Sequence, residues 1–212
     1  MHHSYTISLQ MKGKKWMLTI LMIFNGIFSN AQSTNYTKLH DFLLNNFDST
    51  IIFDSYNNWQ HYSNYLIASK VNNEVYFFTY VNPYRNPNVA SRPKVLNNLF
   101  YQEEMKFRRT PADTNQYFLP FYINQFKKDS IWKQINSFNI WETKIDHSFK
   151  ENPNKPIVHD GDEFEIHLIT KQGIKSKYWY EPDMYERYSP GNNYRISGIK
   201  TRDYLVFLFK YK

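Results

Sequence analysis

The chain has 212 residues and a formal net charge of +7, with 26 lysine and arginine residues against 19 aspartate and glutamate residues. It contains no cysteine, which excludes disulfide bonds, a cysteine nucleophile and a lipid-modified cysteine. Its basic residues are spread thinly rather than concentrated on one element, which argues against nucleic acid as a partner.

The segment 11–31 has the three parts of a secretory signal peptide. Three lysines within 12–15 precede an apolar run over 16–28, and the small residues of 29–31 stand before Gln32. The apolar run is shorter than the about 20 residues that a membrane span needs. We therefore expect cleavage before Gln32 and an exported mature protein, periplasmic or secreted, without a membrane span. An uncleaved anchor and a buried core helix are the alternatives.

Residues 1–10 lack the features of a signal peptide, and we interpret them as an upstream start extension. After the signal, the first predicted element is an amphipathic helix over 36–47, where apolar residues recur at helical spacing. A hairpin follows, with alternating apolar residues over 65–71 and 75–81 around an Asn72-Asn73 turn.

Two more helices are predicted in the middle of the chain. The apolar residues of 95–100 indicate a short helix. A second helix is expected over 130–138, after a capping residue at Asp129 or Ser130. Trp132 lies on its apolar face and Trp141 just beyond it, so we expect both tryptophans to be largely buried.

The last third of the chain has a residue pattern typical of β-strands. Apolar and polar residues alternate over 163–170, Gln172-Gly173 permits a turn, and 175–182 returns as a second strand. The segment 195–211 is apolar on both faces and is predicted to be a central strand.

These elements predict a single α+β domain over 32–212. We expect an antiparallel sheet with helices packed on one face. The predicted strands of this sheet lie in 65–81, 163–180 and 195–211.

The first candidate site is the sequence HDGDEFEIH. Its oxygens and imidazoles suit a divalent metal, or a general base with an orienting carboxylate. Glu165 and His167 share one strand face, about 7 Å apart. An alternative is a turn before a solvent-facing acidic strand, and the spacing does not match a calcium-binding EF-hand loop. The weak catalytic candidates are His159, Asp160, Asp162, Glu165 and His167.

No sequence motif for a phosphate-binding loop, a serine nucleophile elbow or a zinc protease is present. We therefore expect no cofactor and no metal. His40, His61 and His147 each stand alone in the sequence, and we interpret them as surface or partly buried residues.

The second candidate site is the ring-rich segment YWYEPDMYERYSPGNNYR, residues 178–195. A peptide or a glycan would stack on the aromatic rings while arginines donate hydrogen bonds. The alternative is that the rings cover the open end of the sheet core. The predicted binding residues are Tyr178, Tyr180, Tyr185, Arg187, Tyr188 and Arg195.

The carboxy-terminal third, from HDGDEFEIHLIT through KYWYEPDMYERY to YLVFLF, resembles the ending of small exported proteins of unknown function in the Bacteroidota. The resemblance implies a Gram-negative envelope or secreted location and carries no activity. We predict a non-enzymatic module that contacts an envelope protein, peptide or glycan through 178–195. An envelope hydrolase or metal-dependent enzyme centred on 159–167 is the alternative.

Overall fold

The strand β1 (Ser49–Tyr56) lies at the centre of a six-stranded sheet. Its residues Ile51, Ile52 and Phe53 are all buried, so the strand is covered on both faces. The structure, a computed structural model, describes residues 36–56, 64–83, 93–154 and 161–210, without the side chains at 56, 125 and 126. The segments 1–10 and 11–31 lie outside these ranges.

All strand pairs in the described sheet are antiparallel, and the order is β4-β3-β2-β1-β5-β6. The sheet combines the hairpin β2–β3, the short edge strand β4, and the hairpin β5–β6 on the other side of β1. The remaining strands are β2 (Tyr65–Val71), β3 (Glu74–Tyr80), β4 (Phe118–Pro120), β5 (Glu163–Thr170) and β6 (Gly173–Tyr180).

Helices cover both faces of this sheet. A 3-10 turn, Lys94–Leu96, leads into the second helix. The described helices are α1 (Lys38–Asn46), α2 (Asn97–Arg109), α3 (Gln125–Ser137), α4 (Pro182–Tyr188) and α5 (Asn193–Lys210).

Two separate apolar cores show how the helices are distributed. Leu39 of α1 and Phe107 of α2 pack with Ile52 on one face. Ile135 of α3 and Leu205 of α5 pack with neighbours such as Ile51 on the other face. The expected packing on one face is therefore not confirmed, because the central strands carry apolar side chains on both sides.

The α+β class and the antiparallel sheet are confirmed, as are both predicted hairpins. The predicted helices over 36–47 and 130–138 correspond to α1 and the second half of α3. The short helix predicted over 95–100 continues to Arg109.

The prediction of a strand over 195–211 is wrong, because residues 195–210 lie in the helix α5. The side chain of Asn192 accepts a hydrogen bond from the backbone N–H of Arg195 at 3.1 Å and so caps the helix. Ser197, Thr201 and Leu205, spaced by four residues, are buried along one face. The central position predicted for 195–211 belongs to β1 instead.

Candidate functional site

The strand register brings the two predicted site segments together at one end of the sheet. Glu165 lies opposite Tyr178, and Glu163 lies opposite Tyr180. On the other side of β5, Asp54 of β1 lies opposite Glu165. Because directly paired residues point to the same face, these five side chains form one surface, which we term the acidic–aromatic surface. Its three carboxyl side chains are partly buried, and Tyr178 is 45% exposed.

Next to this surface, α1 places His40 against His167 of β5. The two ring centroids lie 4.8 Å apart with the rings nearly perpendicular, and both residues are buried. The backbone N–H of Thr37 donates to Nδ1 of His40 at 3.2 Å, so neutral His40 carries its proton on Nε2. His40 stands alone in the sequence, but in the structure its ring packs against the ring of His167.

Burial keeps both histidines neutral. It lowers the pKa of His40 to about 4. Burial and, to a smaller extent, the nearby His40 lower the pKa of His167 to about 3. A histidine that resists protonation above pH 4 is a poor general base near neutral pH.

The contacts of His167 also differ from those of a serine hydrolase triad. Ser176 Oγ lies 2.7 Å from His167 Nδ1, and Glu165 Oε1 lies 3.8 Å from the same nitrogen. In a working triad the hydroxyl and the carboxylate occupy opposite ring nitrogens, so that a proton can pass through the ring. Ser176, His167 and Glu165 therefore form a local polar cluster, without the geometry of a relay.

The carboxyl groups of Asp54 and Glu165 both have raised pKa values. For Asp54, burial is the main cause and the charge of Glu165 adds to it, against a hydrogen bond from the backbone N–H of Asn64, and the resulting pKa is about 7. Burial raises the pKa of Glu165 as well, against a hydrogen bond from Ser176. Two neighbouring carboxyl groups with raised pKa values are a common feature of functional sites.

We expect Asp54→Asn to stabilise the protein at pH 8. Unfolded Asp54 ionises near pH 3.8 and folded Asp54 near 7, so the folded state loses stability as the pH rises through this window. Because Asp54 is only partly buried, we expect a gain of about 1–3 kcal/mol at pH 8 and almost none at pH 4.

Urea unfolding of both proteins at the two pH values measures this difference. Asp162→Asn, at an exposed carboxylate near the same end of the sheet, is the control and is expected to change stability by less than about 0.5 kcal/mol. An equal effect of Asp54→Asn at pH 4 and pH 8 would contradict the raised pKa.

The ring-rich segment 178–195 comprises the end of β6, the helix α4 and the start of α5. Tyr180 and Tyr185 lie with their ring centroids 6.4 Å apart. Tyr188 and Arg187 are exposed.

Arg195, one of the predicted binding residues, is buried. Its guanidinium forms ion pairs with Glu151 and Glu186 and donates to the carbonyl oxygen of Ser189. A guanidinium with these three partners holds the segment together and is not presented to a ligand.

The segment 159–167 is only partly described. His159, Asp160 and the distant His61 lie outside the described ranges, Asp162 is exposed, and His147 is exposed. Within the described residues, no group of three or more histidine, aspartate or glutamate side chains is placed to hold a metal ion.

Asp54 and His40 are the two residues of this region that the sequence did not reveal. Asp54 follows the apolar run Ile51–Ile52–Phe53, where a polar side chain at a strand end is a weak signal.

Comparisons of the chain with protein-family models, with curated proteins and with solved structures found no match.

Proposed function

We propose that the protein is an exported, non-enzymatic binding module that holds a cationic group of an envelope component on the acidic–aromatic surface. The proposal rests on the strand register, which places the carboxyl groups of Asp54 and Glu165 beside the partly exposed ring of Tyr178.

Export is supported by the signal-like segment 11–31. No helix within the described ranges is long and apolar enough to cross a membrane.

The electrostatics of the surface favour a positively charged ligand. The charge of Glu165 raises the pKa of Asp54, so a lysine or arginine side chain placed between the two carboxyls relieves this repulsion. A cation is also attracted to the face of a tyrosine ring such as that of Tyr178. The surface carries acidic side chains although the chain as a whole has more basic than acidic residues.

A fluorescein-labelled hexalysine peptide tests the binding proposal by fluorescence polarisation at low ionic strength. We expect saturable binding that weakens with added salt. Tyr178→Ala and Glu165→Gln are each expected to weaken it about fivefold or more, because each removes a contact worth about 1 kcal/mol or more.

Two control variants match these substitutions. Tyr122→Ala removes a ring that is 89% exposed elsewhere, and Glu103→Gln removes a charge on α2. Both are expected to bind hexalysine like the unmodified protein. Equal binding of hexaglutamate, or full binding by Tyr178→Ala and Glu165→Gln, would contradict the proposal.

A second candidate function, acid–base hydrolysis, is favoured by one observation. Asp54 has a pKa raised to about 7 and lies beside a second carboxyl, which is a pairing that hydrolases use. Turnover of chromogenic glycosides or of peptidoglycan fragments, lost in both Asp54→Asn and Glu165→Gln, would favour this function over simple binding.

Export is tested separately by intact-mass analysis of the protein from envelope fractions of its native host. We expect the new amino terminus at or near Gln32, because the small residues before it suit a signal peptidase. Mature protein that retains residues 11–31 would overturn the proposed cleavage.

A further inference from the structure

A concave surface lies on the other face of the sheet, at the opposite end from Asp54. It is a shallow groove of about 230 Å³, which we term the tryptophan groove. Ser49 and Thr170 at this end are five residues along their strands from Asp54 and Glu165, or about 17 Å. The groove is lined by Ser49, Trp132, Asn136, Asn139, Trp141 and Thr170, with Glu142 at its edge.

Two indole rings supply the apolar part of the groove. Trp132 and Trp141 lie with their ring centroids 6.5 Å apart and their planes tilted by 49°. Trp132 is buried as expected, whereas Trp141 is only partly buried, because one side of its ring faces the groove rather than the core.

The ring of Trp141 is held in place before any ligand arrives. Its indole N–H donates to Oδ1 of Asn136 at 3.0 Å. Oδ1 of Asn136 accepts this bond, and the Nδ2 group of the same amide remains as a hydrogen-bond donor for other partners.

The backbone that carries Trp141 is fixed from two other elements. Lys177 of β6 donates to the carbonyl oxygens of Ile140 and Thr143. Ser197 of α5 donates to the carbonyl oxygen of Phe138 at 2.6 Å. A site whose groups are already ordered loses little conformational entropy when it binds a ligand.

The chemistry of the groove matches a sugar ring. The faces of a pyranose carry C–H groups that pack on an indole ring, while its hydroxyl groups both donate and accept hydrogen bonds. The groove offers the partly exposed ring of Trp141 together with amide, hydroxyl and carboxylate groups. Its volume is below the about 300–1,000 Å³ of sites that enclose a whole small molecule, so it suits one sugar unit of a larger glycan.

From these observations we infer that the tryptophan groove is a glycan-binding site for a single uncharged pyranose unit. This site is independent of the cationic ligand proposed for the acidic–aromatic surface. The two sites lie on opposite faces of the sheet and at opposite ends of its strands, so they share no residue.

Tryptophan fluorescence provides the test, with glucose, galactose, mannose and N-acetylglucosamine as probes. We expect at least one sugar to shift or quench the emission with a dissociation constant of roughly 1–10 mM, the range of a weak single-unit contact. Saturation-transfer NMR on the same sugar is expected to show transfer to the ring C–H protons.

Trp141→Ala is expected to weaken sugar binding at least about tenfold, as expected when a stacked aromatic contact is lost. Asn136→Leu, at an exposed position, is expected to weaken it about fivefold with an unchanged melting temperature, since it removes an amide and releases Trp141. Asn136→Leu keeps the inference testable if Trp141→Ala fails to fold.

Two controls locate the effect. Tyr101→Ala removes a ring that is 63% exposed on α2 and is expected to leave sugar binding unchanged, as is Tyr178→Ala on the acidic–aromatic surface. No response to any of the four sugars by both methods, or unchanged binding in folded Trp141→Ala and Asn136→Leu, would overturn the inference. Loss of sugar binding in Tyr178→Ala would overturn its independence from the other site.

Discussion

Replacing Gly198 by alanine is expected to destabilise the protein by about 2–4 kcal/mol, although the same change inside a helix normally stabilises. Gly198 lies in α5, where a Cβ atom would come within 2.4 Å of the indole ring of Trp179. No ordinary contact between carbon atoms is that short. Either the helix must move away from the sheet or the tryptophan must leave its position.

Trp179 has little freedom to move. Its ring is stacked between Phe164, at 5.1 Å, and Tyr194, at 4.8 Å between centroids. Its indole N–H donates to the backbone carbonyl of Tyr194 at 3.2 Å. A shift of Trp179 therefore breaks two ring contacts and a hydrogen bond, and a shift of α5 separates Tyr194 from the same ring, so either response lowers stability.

Urea unfolding of Gly198→Ala measures the effect, with Lys200→Ala as the control. Lys200 is exposed two residues further along the same helix, and its replacement is expected to change the free energy of unfolding by less than about 0.5 kcal/mol. A more stable Gly198→Ala would show that the helix does not pack this closely on Trp179, because only the gain in helix propensity would remain.

Local signals in the sequence predicted the elements that depend on local contacts. The Asn72-Asn73 and Gln172-Gly173 turns, with alternating residues on either side, predicted both hairpins. The sequence does not distinguish the helix α5 from a strand, because aromatic and aliphatic residues on all sides fit a buried strand as well as a buried helix. The cap at Asn192 and the four-residue spacing of Ser197, Thr201 and Leu205 were the signals that favoured a helix.

The candidate site was predictable only in part, for a related reason. The two-residue period of a strand predicted that Glu165 and His167 share a face. Their long-range partners, Asp54 and His40, are brought to them by the central position of β1 and by the packing of α1. Neither contact leaves a pattern within one segment, since each depends on the order of strands in the sheet.

Replacing Arg195 by methionine is expected to destabilise the protein by about 2–4 kcal/mol, because it leaves two carboxylates without their cation. Arg195 is 7% exposed, pairs with Glu151 and Glu186, and stacks over the ring of Phe149 at 5.3 Å. Breaking a buried ion pair from one side costs up to about 5 kcal/mol. We expect less than this maximum, since both glutamates are partly exposed to water.

Arg187→Met is the matched control, because Arg187 lies in the same ring-rich segment but is exposed. It is expected to change the free energy of unfolding by less than about 0.5 kcal/mol. Thermal and urea unfolding of both variants measure this difference. A destabilised Arg195→Met beside an unchanged Arg187→Met supports a structural arginine. If Arg195→Met keeps full stability, the ion pairs with Glu151 and Glu186 do not hold α5 to its neighbours.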